Sequence, residues 1–466
     1  MTECTQSSFE FHPLFSREVV ARFDGGQITS DAGGLLLREV ARRTGIVARF
    51  AACFTDHRSA DRIEHSVAEL VAQRVYGLAL GYEDLNDHDQ LRADSILAVL
   101  AGKRDPEGHD RRMERDQGKP LAGKSTLNRL ELTKANVGQQ ERYCKIGMDT
   151  DAIDRLLVDI FLEAHATPPE EIVLDLDATD DPLYGHQEGR FFHGYYGHYC
   201  YLPLYIFCGE HLLCARLRSS NIDASAGSLD EVKRIVKQIR ESWPEARIIL
   251  RADSGFCRDE IMKWCEEAGN KVDYIFGLAR NQRLRKLIDA EMVQAAAEHG
   301  KTNEAARVFT EFIYQTLDSW DCARRVIAKA EHLDKGENPR FVVTSLSVER
   351  MAAQPLYEDL YCARGEMENR IKEQFSLFSD RTSTAFLRSN QLRLYFSSIA
   401  YLLMHGLRRL GLQGTEMAKA QCATIRLKLL KIGAQISVSV RKVWVALASS
   451  YPYPALFASV YKQLRC

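Results

Sequence analysis

Apolar residues recur at two different spacings along the chain, and the change falls near residue 170. Before it, stretches such as SVAELVAQRVYGLALG and ADSILAVLAG repeat apolar residues every three or four positions, which predicts amphipathic helices. After it, short β-branched runs such as EIVLDLDA and ARIILRAD predict strands, with helical patterns between them. The sequence therefore predicts an α/β core that follows a largely helical N-terminal region.

The predicted elements divide the chain into five regions. A helical N-terminal region at 1–165 precedes the first part of an α/β core at 166–280. An insertion with β-strands follows at 281–350, and a helix at 351–380 completes the core. The last region, 381–466, is basic and helical. Pro355 suits the first turn of the completing helix, which we expect to run to about Phe378.

Composition narrows the class of protein. Of 466 residues, 27% are charged and 45% hydrophobic, as in ordinary globular proteins. No apolar run is long enough for a membrane helix, and the N-terminus has no signal-peptide pattern. Twelve scattered cysteines without a CxxC pair predict free thiols. We therefore predict a cytoplasmic protein without a membrane partner.

Positive charge is concentrated at the C-terminal end, although the net charge of the whole chain is only -2. Residues 381–466 contain thirteen Lys or Arg residues and a single acid, Glu416. Such a surplus within an apolar helical pattern predicts a folded surface that faces a polyanion, with Arg408 and Arg409 as candidate DNA contacts. The alternative is a basic face that only keeps the protein in solution.

Three short acidic motifs are the candidate chemistry. They are LDLDATDD with Asp175 and Asp177, RADSGF with Asp253, and YCARGEMENRIKE with Glu368. The first two end predicted strands, so adjacent strands would bring Asp177 and Asp253 to one edge of a sheet. Three carboxylates from separate elements can hold two divalent metal ions, the usual apparatus for attack on a phosphodiester. The motifs therefore predict a metal-dependent enzyme that acts on DNA.

The third motif places further polar groups beside Glu368. On an ideal helix of about 100° per residue, Tyr361, Arg364, Glu368 and Lys372 share a stripe about 80° wide. Glu368 could hold a metal there, while Arg364 and Lys372 meet phosphate oxygens. The alternative is a surface helix with ordinary ion pairs between residues four positions apart.

Two other segments are candidates for DNA contact. GKPLAGKS at residues 118–125 fits a nucleotide-binding P-loop pattern, but the preceding HDRRMERDQ cannot form the buried strand which that loop requires. We therefore expect Lys124 and Arg129 to lie at the start of a helix that meets DNA phosphates. A Gly- and Tyr-rich loop with His186, His193 and His198 follows the first acidic motif, where DNA contact or packing is favoured over metal binding.

These motifs resemble the DDE transposases of bacterial insertion sequences. Tyr361, Arg364 and Glu368 match the Tyr-x2-Arg-x3-Glu signature of one large group, and within that group the chain resembles the insertion-sequence family numbered 1380. Asp253 begins an Asp-x-Gly-aromatic motif of the group. Asp177 begins an Asp-x-Thr motif and is therefore preferred to Asp175, although both alternate onto the same strand face. The group also has a lysine seven residues after the glutamate. Phe375 occupies that position here, so we assign the role of the signature lysine to Lys372, four residues after Glu368.

The resemblance implies a fold, cofactors and partners. The expected fold is a ribonuclease-H-like mixed sheet with a β-rich insertion. Asp177, Asp253 and Glu368 would be both the catalytic residues and the ligands of two Mg2+ ions, for which Mn2+ could substitute. The partners would be double-stranded DNA, as terminal inverted repeats and as target, and a second copy of the chain in a synaptic homodimer. The expected setting is the bacterial cytoplasm, at the nucleoid when DNA is bound.

The implied reaction is cut-and-paste transposition, in which element ends are cleaved and then joined to target DNA. Two alternatives remain at this point. A structure-selective, metal-dependent nuclease would share the carboxylates but would not join strands. A non-catalytic DNA-binding protein derived from a transposase would keep the basic surfaces and lose a carboxylate, whereas all three are present here.

Overall fold

The computed structural model describes residues 8–133, 138, 140 and 142–465. The chain forms two compact units. The central unit contains residues Thr150–Phe375 and Ser379–Ser398, and the terminal unit contains Met1–Asp149, Ser376–Phe378 and Ile399–Cys466. Among the described residues, no helix is both long and apolar enough to cross a membrane.

A nine-stranded mixed sheet forms the centre of the central unit. Its strands β1 to β9, in chain order, are Glu171–Ala178, Leu204–Cys208, His211–Arg216, Arg247–Ala252, Val272–Leu278, Ala306–Tyr314, Arg324–Leu333, Gly336–Glu337 and Arg340–Thr344. The order across the sheet is β3, β2, β1, β4, β5, β9, β7 and β6, and the short β8 pairs with β7. The sheet confirms the predicted α/β class.

The register of two neighbouring strands explains where the acidic motifs meet. β1 and β4 run parallel, with Leu176 opposite Ala252. Because the next residues along these strands are Asp177 and Asp253, both carboxylates leave the sheet at the same edge. β5 continues the parallel run beside β4, whereas β2 lies antiparallel on the other side of β1.

The stretch at 281–350 extends this sheet and does not form a separate body. β9 pairs antiparallel with β5, β7 with β9, and β6 with β7. Before these strands come two helices, Gln282–Leu287 and Asp289–Thr302. The predicted strands are therefore present. They were expected to form an insertion within the core, but main-chain hydrogen bonds make them part of its sheet.

Helices cover the sheet and its edges. Besides the segment around Glu368 and the two helices at Gln282–Leu287 and Asp289–Thr302, they include Thr150–Glu163, Ser228–Ser242, Asp259–Glu266 and the first part of Leu387–Gly411. The β-hairpin Phe191–His193 and His198–Tyr201 and the short strand Asp181–Pro182 belong to the same unit. Fully buried residues of β1, β4 and β5, such as Leu174, Leu250 and Phe276, pack with helix residues such as Ile235 in one large apolar core. This burial holds the strand ends that carry the acidic motifs in place.

The terminal unit is built mainly from helices. They are Gly34–Thr44, Ile46–Ala52, Val67–Leu80, His88–Leu91, Ser95–Leu100, Lys124–Glu131, the end of Leu387–Gly411, Cys422–Ile425 and Pro454–Arg465. A capping box at Ser66 and Glu69 begins the Val67–Leu80 helix.

Short strands make the two chain ends less helical than predicted. A hairpin joins Phe9–Leu14 to Arg17–Ala21, and Phe54–Asp56 pairs with Ile146–Met148. In the C-terminal region, Ala434–Val438 pairs with Val443–Leu447 and also with Gln27–Thr29. The N-terminal region is mainly helical, as expected, but the two chain ends also contribute short strands that complete one small sheet.

Candidate functional site

Asp177 and Asp253 are fixed by their own backbone surroundings. The Asp177 side chain accepts a hydrogen bond from the N–H of Ala178 at 2.9 Å. Asp253 caps a short turn and accepts from the N–H of Gly255 at 2.8 Å. Each aspartate also has carboxylate oxygen capacity left over for another ligand.

Asp175 is committed to a different role. It is only 3% exposed, and its two oxygens accept from the guanidinium of Arg251 at 2.5 and 2.8 Å. Arg251 in turn donates to the carbonyl of Leu360. Since both Asp175 oxygens are paired in the interior, this carboxylate acts as part of the core, which favours Asp177 as the first acidic residue of the site.

Arg364 joins the first and third acidic motifs. Its guanidinium lies 3.5 Å from a carboxylate oxygen of Asp177 and 3.5 Å from one of Glu368. The second contact is the ion pair expected between residues four positions apart on a helix. Because Arg364 also reaches across to the sheet, the surface-helix alternative does not describe this segment.

One cavity of about 570 Å³ gathers the predicted site residues. Its lining includes Asp177, Asp253, Arg364, Glu368 and Lys372. The structure therefore brings these five side chains, from two strand ends and one helical segment, to the wall of one cavity. Their roles in catalysis, metal binding and DNA binding stay predictions.

The electrostatics of the cavity are unbalanced toward negative charge. Burial raises the pKa of Asp177 to about 6; Arg364 opposes the shift, and the nearby carboxylates of Asp253 and Glu368 add to it. A nearby cation stabilises the ionised form of a carboxyl group whose pKa is raised in this way.

The donor set fits a divalent metal ion. Asp177, Asp253 and Glu368 offer hard carboxylate oxygens, which Mg2+ and Mn2+ prefer. Their oxygens do not all lie within 4.8 Å of one another, a spacing that only Asp105, Glu107 and His109 achieve among the described residues. Arg364 contacts one oxygen of Asp177 and one of Glu368, so its guanidinium would compete with a metal ion for these carboxylates.

The helix that carries Glu368 is irregular just before the site. Residues Leu356–Tyr361 form a π-helical turn, Cys362–Arg364 a 3-10 turn, and Gly365–Ser376 a regular α-helix. The predicted stripe therefore holds from Arg364 onward, whereas Tyr361 is turned toward a neighbouring cavity that it shares with Arg364. Such π-turns within helices are frequent at functional sites.

An aromatic β-hairpin, Phe191–His193 and His198–Tyr201, contributes to the cavity wall. His193, Tyr195 and Tyr196 line the cavity. His198 does not line the cavity, and its Nε2 lies 2.8 Å from a carboxylate oxygen of Asp180. The sequence predicted a loop here, but His193 and His198 lie in the two paired strands of the hairpin, and only residues 194–197 form its turn.

The candidate DNA contacts of the terminal unit differ in exposure. Lys124 is exposed at a helix N-terminus and donates to Asn86, and Arg129 lines a cavity of the same unit. Arg408 is only 2% exposed and donates to the carbonyl of Ala420 at 3.1 Å, so its prediction as a DNA contact is wrong. Arg409 is half-buried, and burial together with Arg43 lowers its pKa.

Comparisons with known proteins address the family. A family model described as "Transposase DDE domain group 1" matches residues 11–466. No curated protein matches the chain. Among solved structures, the chain is similar to a piggyBac transposase synaptic complex with hairpin DNA, at 12% identity and a TM-score of 0.43, with 86% of this chain and 80% of that chain covered. A score this low does not establish a shared fold.

The family match is the finding that identifies the chain. It begins before the first acidic motif, ends at the last residue and therefore includes Asp177, Asp253 and Glu368 in one domain. The finer resemblance to the insertion-sequence family numbered 1380 stays a prediction. Since the match covers nearly the entire sequence, this chain belongs to the transposase DDE domain family, group 1.

Proposed function

We propose that this transposase moves its element by cut-and-paste, cleaving element ends and joining them to target DNA. The observation that carries the proposal is the convergence of Asp177, Asp253 and Glu368 on one cavity, in a chain that matches the DDE family over residues 11–466. We further infer that the central sheet is a ribonuclease-H-like core. Its support is the order of three antiparallel strands beside two parallel ones.

The side chains have distinct proposed roles. Asp177, Asp253 and Glu368 would hold two Mg2+ ions, which when bound lower the pKa of the attacking hydroxyl and stabilise the leaving oxygen. Arg364, once released from a carboxylate, can donate to two oxygens of the reacting phosphate. Lys372 adds a positive charge to the cavity wall, and Tyr361 adds a hydroxyl in the neighbouring cavity.

We also infer that the terminal unit contacts double-stranded DNA. One of its cavities is lined by five cationic residues, Arg58, Arg62, Arg129, Arg142 and Lys145, against the single acid Glu64. Arg129 and Arg142 lie over the ring of Tyr143 at 5.5 and 4.9 Å. Cations assembled in this way favour a phosphate backbone, and their binding should weaken steeply with salt.

A strand-transfer assay tests the proposed function. The substrate is a supercoiled plasmid that carries the coding region with its native flanking DNA, incubated with Mg2+ and a target plasmid. We expect excision of the element and covalently joined products. Cleavage without any joined product would contradict the proposal and favour the nuclease alternative. An absence of both, in protein that is folded and binds the flanking DNA, would favour the non-catalytic alternative.

We propose a homodimer as the active species, because two element ends must be cut and joined together. Mixing wild-type protein with a Glu368→Ala variant tests this arrangement. Mixed dimers should lower paired-end cleavage more than the wild-type fraction alone would, and sizing should find complexes with two DNA ends. A strictly proportional loss of activity without such complexes would contradict the dimer.

A further inference from the structure

A second cavity of about 620 Å³ lies next to the carboxylates in the central unit. Asp253, Ser254 and Arg364 line both cavities, so the two spaces meet at the residues that flank the proposed reaction. The remaining wall of the second cavity includes Arg280 and Arg340. It therefore offers positive charge beside the proposed position of the reacting phosphate.

The guanidinium groups of Arg280 and Arg340 are unpaired within the described part of the chain. Neither Arg280 nor Arg340 has an ion-pair or hydrogen-bond partner for its guanidinium among residues 8–133, 138, 140 and 142–465. Other arginines of the central unit, such as Arg251 and Arg324, donate to carboxylates at 2.5–3.0 Å. Both Arg280 and Arg340 are exposed, which leaves their donors free for a ligand.

The hydroxyl of Tyr361 also lines the second cavity, and Gly277 leaves the space that this hydroxyl occupies. A Cβ atom added to Gly277 would lie 2.6 Å from the Tyr361 hydroxyl and 3.0 Å from the backbone nitrogen of Ser254. The missing side chain therefore lets this hydroxyl pack against the strand that leads into the cavity. The hydroxyl has no hydrogen-bond partner within the described part of the chain, and its ring lies 5.6 Å from that of Tyr357.

We propose that the second cavity binds a phosphodiester of an unpaired DNA strand that adjoins the scissile phosphate. The inference rests on the proposed function and adds a subsite to it. Arg280 and Arg340 would donate to the phosphate oxygens, and the Tyr361 hydroxyl would add a third donor. The cavity has the volume of a small-ligand pocket, which admits an unpaired nucleotide but not a duplex.

Binding of tailed and blunt DNA by the full chain tests this subsite. The probes are a fluorescent blunt duplex and the same duplex with a short thymidine tail on either the 3′ or the 5′ strand, measured by anisotropy in EDTA. The test variant combines Arg280→Gln with Arg340→Gln. Arg247→Gln is the matched control, because Arg247 is also exposed and lies at the opposite end of the strand that leads to Asp253.

We expect wild-type protein to prefer one tailed duplex, and the double variant to lose that preference by at least about tenfold. Its affinity for the tailed duplex should also depend less on salt. The slope of log K against log salt should fall by about 1.4, because two contacts to a single strand are lost at about 0.7 each. Arg247→Gln should change neither quantity. The tail that is preferred identifies the strand polarity.

Three results would overturn the subsite. They are an unchanged tail preference in the double variant, an equal loss in Arg247→Gln, and an equal loss of affinity for blunt and tailed duplexes. Tyr361→Phe gives a second measure, because it keeps the ring and should weaken only tailed binding, by a few-fold. Cleavage and strand transfer are not read out in this experiment, so its failure would leave the proposed function standing.

Discussion

Each unit contains one group of side chains that could bind a metal ion, and the two groups differ in their surroundings. In the terminal unit, Asp105, Glu107 and His109 bring their ligand atoms within 4.8 Å of one another on an accessible loop. In the central unit, Asp177, Asp253 and Glu368 are farther apart but line one cavity. Closeness alone favours the loop as a metal site, whereas our proposal places the metal ions in the cavity.

Hydrogen bonding explains the difference between the two groups. The Asp105 carboxylate already accepts from the backbone N–H groups of Glu107, His109 and Asp110, and these bonds hold its pKa below the usual value. Burial instead raises the pKa of Asp177 to about 6. The chain therefore stabilises the charge of the loop carboxylate, whereas Arg364 and the Ala178 N–H only partly offset the burial of the Asp177 charge. Carboxylates whose pKa values are raised by burial and by neighbouring charges are often found at functional sites.

The largest expected effect is on DNA cleavage. Replacing Asp177 or Asp253 by Asn should lower the rate of end cleavage by at least about 1,000-fold, because a lost metal site removes several kcal/mol of transition-state stabilisation. Glu107→Gln should leave the rate within about twofold. Cleavage of labelled end DNA, with DNA binding as the folding control, measures both. Comparable losses from the loop and cavity variants would invalidate the comparison.

The next effect separates two aspartates on one strand. Asp175→Asn should destabilise the protein by about 3–5 kcal/mol, since it leaves the buried Arg251 without its carboxylate. Asp177→Asn should be neutral or slightly stabilising, because it removes a carboxylate that burial disfavours. Urea unfolding followed by circular dichroism gives both values. The interpretation fails if Asp177→Asn is the more destabilising of the two.

A smaller effect concerns pH. Protons compete with metal at Asp177, so the concentration of Mg2+ needed for half-maximal cleavage should rise as pH falls below about 6, by up to about tenfold per unit. Activity measured across Mg2+ titrations at several pH values tests this. A midpoint near the ordinary carboxylate pKa of about 4 would show that the cavity does not perturb Asp177.

The same shift makes a prediction for stability without metal. The folded-state pKa of Asp177 lies above its unfolded value of about 3.9, so the folded protein holds this proton more tightly. Its contribution to stability is complete below about pH 4 and is lost as pH rises through about 6. The Asp177→Asn variant should lack this contribution, so its free energy of unfolding should decline less over that window than that of wild type.

The smallest effect is expected at the edge of the cavity. Lys372 is exposed, so solvent and salt screen its attraction for the DNA phosphates. Lys372→Gln should therefore lower the cleavage rate only by several-fold. The loss should shrink as salt is raised. A loss as large as that of Asp253→Asn would mean that Lys372 touches the reacting atoms, as the lysine of the signature group implies.

The sequence could predict the meeting of Asp177 and Asp253 because it follows from local patterns. Each residue ends a short apolar run, and parallel neighbouring strands bring their ends to one edge. The choice between Asp175 and Asp177 could not be made from alternation, because both point to the same face. Only the position of Arg251 on the adjacent strand shows that Asp175 is paired.

Other features depend on three-dimensional packing that no spacing reveals. The helical stripe assumed a uniform 100° step, and the π-turn at Leu356–Tyr361 changes the direction of Tyr361. The count of C-terminal charges took every cation to be at the surface. Arg408 is buried and bonded to Ala420, and Lys431 forms a 2.6 Å ion pair with Asp31. Part of the basic surplus therefore stabilises the terminal unit.

Metal binding measured directly is the sharpest test of the central claim, that Asp177, Asp253 and Glu368 form one metal site. Mn2+ is titrated by calorimetry into wild-type protein bound to end DNA, and into Asp177→Asn, Asp253→Asn, Glu368→Gln and Glu107→Gln variants. The three cavity variants should each weaken or abolish the binding seen in wild type, and Glu107→Gln should retain it. If Glu107→Gln loses the Mn2+ signal while the cavity variants keep it, the metal site belongs to the loop and the assignment of the cavity is wrong.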